Sequence, residues 1–283
     1  MVTSSDLRTE DQIQTMYNEH CRSLIEYWRG DPIMHGGYFA DSEPDASYTT
    51  AARHASALLA REAMIDDDSR VLDIGCGFGH FLMFIAERFD CVGEGLDLSE
   101  EHIEFASARA RGNPRLTFRQ GSATELPYAQ GSFTHVTSQD AFYHIPNKAA
   151  LYREIYRVLA PGGTLAFLDF LQPSKAAPDQ DRENTYAALG WTESYSLLEY
   201  QQMLQSVGLE IDLARDLGSH VKQTYHLLGK DTQRYAVTAP DPDEQRQLMD
   251  FARVCDDVKK GVDRREISWG VIVAHKPTSA GEM

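Results

Sequence analysis

The sequence predicts an α/β fold, a seven-stranded and mostly parallel sheet with helices on both faces, preceded by N-terminal helices and carrying a helical cap. Three observations predict it. Short apolar runs alternate with helix-length stretches from about residue 70 onward; a glycine-dense turn follows the first run; and an acid stands near the end of the second.

The elements follow in order. Residues 10 to 28 and 46 to 64 have helical character, separated by the aromatic, turn-rich stretch Tyr27 to Phe39. After Asp66-Asp67-Asp68 the alternation begins. Val71 to Ile74 is a buried strand and Phe81 to Phe89 a helix. Cys91 to Leu98 is a second strand, followed by a helix over Glu100 to Arg111 with Ser99 as its N-cap. Leu116 to Arg119, Phe133 to Ser138 and Thr164 to Asp169 read as further strands. The helix Lys148 to Leu159 stops at Ala160-Pro161-Gly162-Gly163. Residues 173 to 196 read as an insertion. Leu197 to Ser206 is a helix with a glycine stop at Gly208. Leu209 to Leu213 and Ser268 to Ala274 complete the sheet. Residues 218 to 265 are largely helical and too long for a loop, so they are read as a cap over the strand ends. The implied division is an N-terminal segment (1–64) over the active site, a ligand-binding core (65–172) and the rest of the sheet with its cap (173–283), all one catalytic domain.

The chain has 283 residues and a formal charge of −16, from 43 acids against 27 Lys and Arg. So negative a surface repels a phosphate backbone, which argues against nucleic acid as partner. The cysteines Cys21, Cys76, Cys91 and Cys255 are scattered without Cys-x-x-Cys spacing, as expected of free thiols in a reducing cytoplasm. The N-terminus lacks a signal-peptide pattern and no apolar run approaches a membrane span, so a soluble cytoplasmic protein is expected. No His/Asp/Cys cluster suggests a metal. The cap offers a surface for a homo-oligomer.

The strongest signal is Val71-Leu72-Asp73-Ile74-Gly75-Cys76-Gly77-Phe78-Gly79. Glycines here let the chain turn sharply from strand to helix and let a ligand approach the backbone. Asp97, near the end of the next strand, is placed to accept hydrogen bonds from ribose hydroxyls. A dinucleotide fold would carry G-x-G-x-x-G to seat a pyrophosphate; the spacing here is G-x-G-x-G, with the carboxylate of Asp73 just before it. A carboxylate there disfavours phosphate and suits a cationic amino-acid ligand.

VLDIGCGFG resembles the first motif of the class I S-adenosylmethionine-dependent methyltransferases. Gly95-Leu96-Asp97-Leu98-Ser99, Gly121-Ser122-Ala123-Thr124-Glu125-Leu126-Pro127 and Arg157-Val158-Leu159-Ala160-Pro161-Gly162-Gly163 match that family's later segments in order, over about residues 65 to 170. The resemblance implies a Rossmann-like fold and S-adenosyl-L-methionine as cofactor. It places Asp97 on the ribose, Ser122 and Ala123 beside the adenine, and Gly75 and Gly77 along the methionine moiety. Cys76, Gly79, Leu98, Gln139, Tyr17 and Trp28 complete the expected cofactor set. Many members carry Asp where this chain has Ser122, so the adenine amino group needs another partner here.

Ligands in such sheets lie beyond the carboxyl ends of the strands. The fourth strand ends in Ser138-Gln139-Asp140-Ala141-Phe142-Tyr143-His144-Ile145-Pro146, which places His144 as the candidate base and Asp140 as its alternative. The segment is similar to that of the sarcosine/dimethylglycine N-methyltransferases, as are Tyr17, Trp28-x-Gly-Asp and His35-Gly-Gly-Tyr38. A wider group acting on sugars, sterols, phosphoethanolamine and prenyl diphosphates shares the N-terminal pattern. An amine becomes cationic as it is methylated, and aromatic faces stabilise such charge by about 0.5–2 kcal/mol each. Tyr17, Trp28, Tyr38, Phe142, Tyr143, Phe170 and Trp191 are candidates for that wall, Tyr38 and Tyr143 foremost. No particular residue among Arg29, Arg182, Arg215 and Arg234 stands out as partner for an amino-acid carboxylate. The leading expectation is N-methylation of a glycine-, sarcosine- or dimethylglycine-like amine. The alternatives are C- or O-methylation of an isoprenoid, sterol-like or natural-product acceptor, and a fold member that binds the cofactor without turnover.

Overall fold

The computed structural model describes residues 9–15, 17–18, 33–173, 180–191, 193 and 195–278, with the side chains of 180–182 left aside. Seven strands form one sheet in the order β3-β2-β1-β4-β5-β7-β6. They are β1 (Arg70–Ile74), β2 (Val92–Asp97), β3 (Leu116–Gln120), β4 (Phe133–Gln139), β5 (Leu159–Leu171), β6 (Glu210–Asp216) and β7 (Ser268–His275). All neighbouring pairs are parallel except those that β7 makes with β5 and β6. The chain order reverses beside β1 and β4, and ligands of such sheets collect in the crevice at that point.

The helices are α1 (Tyr48–Glu62), α2 (His80–Ala86), α3 (Glu100–Arg109), α4 (Lys148–Val158), α5 (Gln180–Ala188), α6 (Leu197–Ser206), α7 (Gly218–Ala236) and α8 (Pro242–Asp263). Their starts follow from local chemistry. Ser47 and Ser99 accept hydrogen bonds from the backbones of Thr50 and His102, and Ser196 forms a reciprocal capping box with Glu199. Separate apolar clusters fill the two faces of the sheet, one built around Leu82, Ile85 and Trp269, the other around Phe142, Tyr152 and Tyr200.

The structure corrects several expected bounds. β5 begins at Leu159 rather than Thr164, because Leu159 already pairs with Phe133 before a register shift, with Gly162 at φ 75° absorbing the irregularity. The 173–196 insertion contains α5. Residues 218–265 resolve into α7 and α8, packed so closely that a Cβ on Gly229 would lie 3.1 Å from the Cys255 Cβ. α7 also packs on β7 and α1. Cys76, Cys91 and Cys255 are buried free thiols, and Cys21 lies outside the described residues. Among the described residues no helix is long and apolar enough to cross a membrane, and no group of His, Cys, Asp and Glu could hold a metal ion.

Candidate active site

β1 delivers Asp73 and the turn after it to the crevice. Gly75, Gly77 and Gly79 all adopt positive φ, at 69°, 50° and 76°. A Cβ on Gly75 would stand 2.3 Å from the Ala141 Cβ. Gly75→Ala is therefore expected to cost about 2 kcal/mol or more and to weaken cofactor binding together with thermal stability. A variant with unchanged melting temperature and affinity contradicts this reading of the turn.

β2 ends in Asp97. Its Oδ2 accepts from the Gly77 N–H (2.9 Å) and its Oδ1 from the Ser99 N–H (2.9 Å), with His102 Nδ1 3.5 Å away. Burial works to raise this carboxyl, but His102 and the two amides overcome it and hold it below the usual range. Asp97 is thus an ionised acceptor locked in orientation. Asp73 differs. It accepts from the Thr137 hydroxyl (2.9 Å), and burial pushes it up to about 7.

The N-terminal segment closes over this crevice. Gln14 donates to the Leu98 carbonyl (2.9 Å), and the Ser99 hydroxyl donates to Asn18 (2.6 Å). Glu10 Oε1 accepts from the hydroxyls of Ser122 (2.8 Å) and Thr124 (3.1 Å). The chain thereby sets a carboxylate beside Ser122, although position 122 itself is not acidic. Tyr17 stands edge-on to the rings of His102 and His144, and its OH lies 2.5 Å from His144 Nε2.

The far wall comes from the end of β4. Asp140 sits at φ 53°; its Oδ2 accepts from the Gly36 N–H (2.6 Å) and its Oδ1 from the Trp269 indole (2.6 Å). Burial raises it to about 7. His144 follows in a 3-10 turn, Phe142–His144, with Nδ1 2.8 Å from the Gly190 carbonyl. Underneath, Asp169 accepts from the Tyr143 N–H and the Tyr200 hydroxyl, and Lys148 donates to the Ile145 carbonyl.

Asp73 and Asp140 have a common consequence. Their carboxyls rise from 3.8 to about 7 on folding, so the stability they lend is complete below pH 3.8 and is lost as pH climbs through about 7. The contribution of these two carboxyls to the melting temperature of the ligand-free protein is expected to fall between about pH 4 and pH 7. A rise across that window would contradict their buried placement.

These residues enclose a cavity of about 980 Å³ counted to its open mouth. Of the residues expected from the sequence, Asp73, Gly75, Cys76, Gly77, Asp97, Leu98, Ala123, Gln139, Asp140, His144 and Tyr17 line it. Gly79 does not; its side faces the Phe118 ring and it serves the turn. Ser122 reaches it only through Glu10. Tyr143 is buried behind His144 (ring centroids 3.8 Å apart), against Phe170 and Trp191. Tyr38 lies against His220 of α7 instead, and Phe142 is a core residue packed on Phe167. Trp28 lies outside the described residues. The sequence reading missed Glu10, Met34, His35, His80 and His102, all in the wall.

The wall fits one ligand chemistry. It holds Glu10, Asp73, Asp97 and Asp140, but no Lys or Arg among its described residues, so no cationic side chain on the wall can pair directly with a pyrophosphate. Buried Gln139 Nε2 and His35 Nε2 have no hydrogen-bond partner in the protein. A cation bearing hydroxyls and an aromatic base meets these groups, as S-adenosylmethionine does.

A family model described as a methyltransferase domain matches residues 72–167. A 27-O-demethylrifamycin SV methyltransferase from Amycolatopsis mediterranei is 32% identical over 222 residues, covering 77% of this chain and 80% of that protein. The chain belongs to the class I S-adenosylmethionine-dependent methyltransferases. It is also similar to phosphoethanolamine N-methyltransferase 1 of Arabidopsis thaliana, at 29% identity over 73% of this chain but only 42% of that longer protein. Among solved structures, a putative sarcosine dimethylglycine methyltransferase from Galdieria sulphuraria shares the fold, with a TM-score of 0.82 at 20% identity over 92% of this chain and 99% of that one. The small-molecule methyltransferase is thus fixed as to family and cofactor, while the relatives named act on unlike acceptors.

Proposed function

We propose that this methyltransferase methylates a hydroxyl group on an uncharged small molecule, with His144 as the base. The observation that carries this reading is the tautomer of His144. A carbonyl only accepts, so the 2.8 Å contact to Gly190 O puts the proton on Nδ1 and leaves the lone pair on Nε2, facing Tyr17 OH at 2.5 Å.

S-adenosylmethionine, when bound, supplies the electrophilic methyl group. Asp97 would take the ribose hydroxyls, Ala123 would border the adenine, and Glu10, seated on Ser122 and Thr124, would accept from the adenine amino group. Leu98 and Gln139 would complete that side, and Gly75, Cys76 and Gly77 would let the methionine moiety lie against the backbone. Tyr17 takes the proton of the acceptor hydroxyl as it passes its own to His144 Nε2. The acceptor oxygen would gain the methyl group as the methyl–sulfur bond breaks, leaving the neutral thioether S-adenosylhomocysteine and a methyl ether, and the imidazolium so formed returns its proton to water. The Tyr17 segment also excludes water, which such a displacement needs. The rifamycin relative, named for an oxygen acceptor, supports this choice.

A second reading, the amine expected from the sequence, has its own support. Acidic side chains and the Tyr17 face would hold a developing ammonium. His144 would first remove a proton from the nitrogen. Arg215 pairs with Glu62 and Arg234 with Asp231, both on the surface, so an acceptor with a carboxylate or phosphate finds no counter-ion in the described wall.

The experiment is a screen of metabolite and natural-product pools with methyl-labelled cofactor. Label on oxygen of a neutral compound supports the proposal. Label on nitrogen transfers the case to the amine, and label in glycine or a phosphate ester refutes the charge argument. Tight cofactor binding with no transfer to any pool would favour a non-catalytic role.

A further inference from the structure

His35 is a buried polar side chain that the mechanism above leaves unused. It precedes Gly36, whose N–H is held by Asp140, and it sits beside the β1–α2 turn, where Met34 Cε would lie 3.3 Å from a Cβ on Gly77. Its Nδ1 is 3.0 Å from the Gly36 carbonyl, which only accepts, so Nδ1 carries the proton and Nε2 the lone pair. That Nε2 is fully buried and has no protein partner, and His35 is one of the residues that line the cavity. Burial lowers His35 to about 4, so the lone pair persists at neutral pH.

Beside it stands His80, ring centroids 5.5 Å apart, with Nδ1 likewise unpartnered. Burial, then His35 and the charges of Arg109 and Arg53, drive His80 down to about 3. The same positive field that keeps His80 neutral attracts an anion. A lone-pair acceptor next to a positive field is complementary to a zwitterion.

We infer that His35 Nε2 accepts a hydrogen bond from the α-ammonium of the cofactor's amino-acid end, with the carboxylate of that end turned toward His80. This rests on the family's cofactor and not on the identity of the methyl acceptor, so it stands or falls separately from the hydroxyl reading.

The test is calorimetric titration of the full chain with S-adenosylhomocysteine and with its deaminated analogue. Wild type is expected to prefer the amino compound by about tenfold or more, the usual worth of a hydrogen bond to a charged group. His35→Asn keeps the short donor arm but cannot reach with an acceptor, and is expected to erase the preference. His35→Gln places an amide oxygen near the Nε2 position and is expected to restore most of it. If His35→Asn retains the preference, the inference is wrong. It is equally wrong if both ligands weaken alike and His35→Gln rescues neither, since that marks a merely structural role.

Discussion

Asp97→Ala is expected to weaken S-adenosylhomocysteine binding by about a hundredfold or more, read by calorimetry. Two effects add. The variant removes an ionised acceptor that would take paired ribose hydroxyls, at about 1.5–3 kcal/mol for each hydrogen bond to a charged group. It also releases the Gly77 and Ser99 amides that Asp97 holds at 2.9 Å each, loosening the turn and the start of α3. Asp97→Asn separates the two, because its amide oxygen can still serve one backbone donor. An intermediate loss is expected for it. Unchanged affinity in the alanine variant would remove Asp97 from the site.

The second large effect concerns turnover. His144→Ala is expected to lower kcat by about 10²–10⁴-fold, the usual worth of a positioned base, while cofactor affinity shifts severalfold at most. Tyr17→Phe keeps the ring against His102 and His144 but removes the relay hydroxyl, and is expected to cost about tenfold in kcat. A histidine variant with full activity would assign the base elsewhere, with Asp140 the next candidate in the wall.

The sheet and about half of the lining of the candidate site were legible in the sequence because those parts are local. The glycine turn, Asp73 and Asp97 stand within one strand–turn–helix–strand unit, where spacing alone decides geometry. The β4 end was readable for the same reason, down to His144. What the sequence hid arises from tertiary closure. Glu10 meets Ser122 across 112 residues, and Trp269 meets Asp140 across 129; no periodicity records such pairs. Tyr38 shows the converse. Its turn-rich setting suggested the pocket, but α7 covers that turn with His220 and draws the ring aside. The orphaned Nε2 of His35 was likewise invisible, since a tautomer is set by a hydrogen bond that only folding supplies. The Ser122 departure was legible as a gap in the family's pattern, and the structure sets the carboxylate of Glu10 beside it.

A crystal structure of the chain with S-adenosylhomocysteine bound tests the account most directly. It is expected to show the ribose hydroxyls hydrogen-bonded to Asp97, the adenine amino group at Glu10 and the sulfur facing the Tyr17–His144 pair. A nucleoside seated elsewhere, or a His144 ring turned so that Nε2 meets the Gly190 carbonyl, would contradict it.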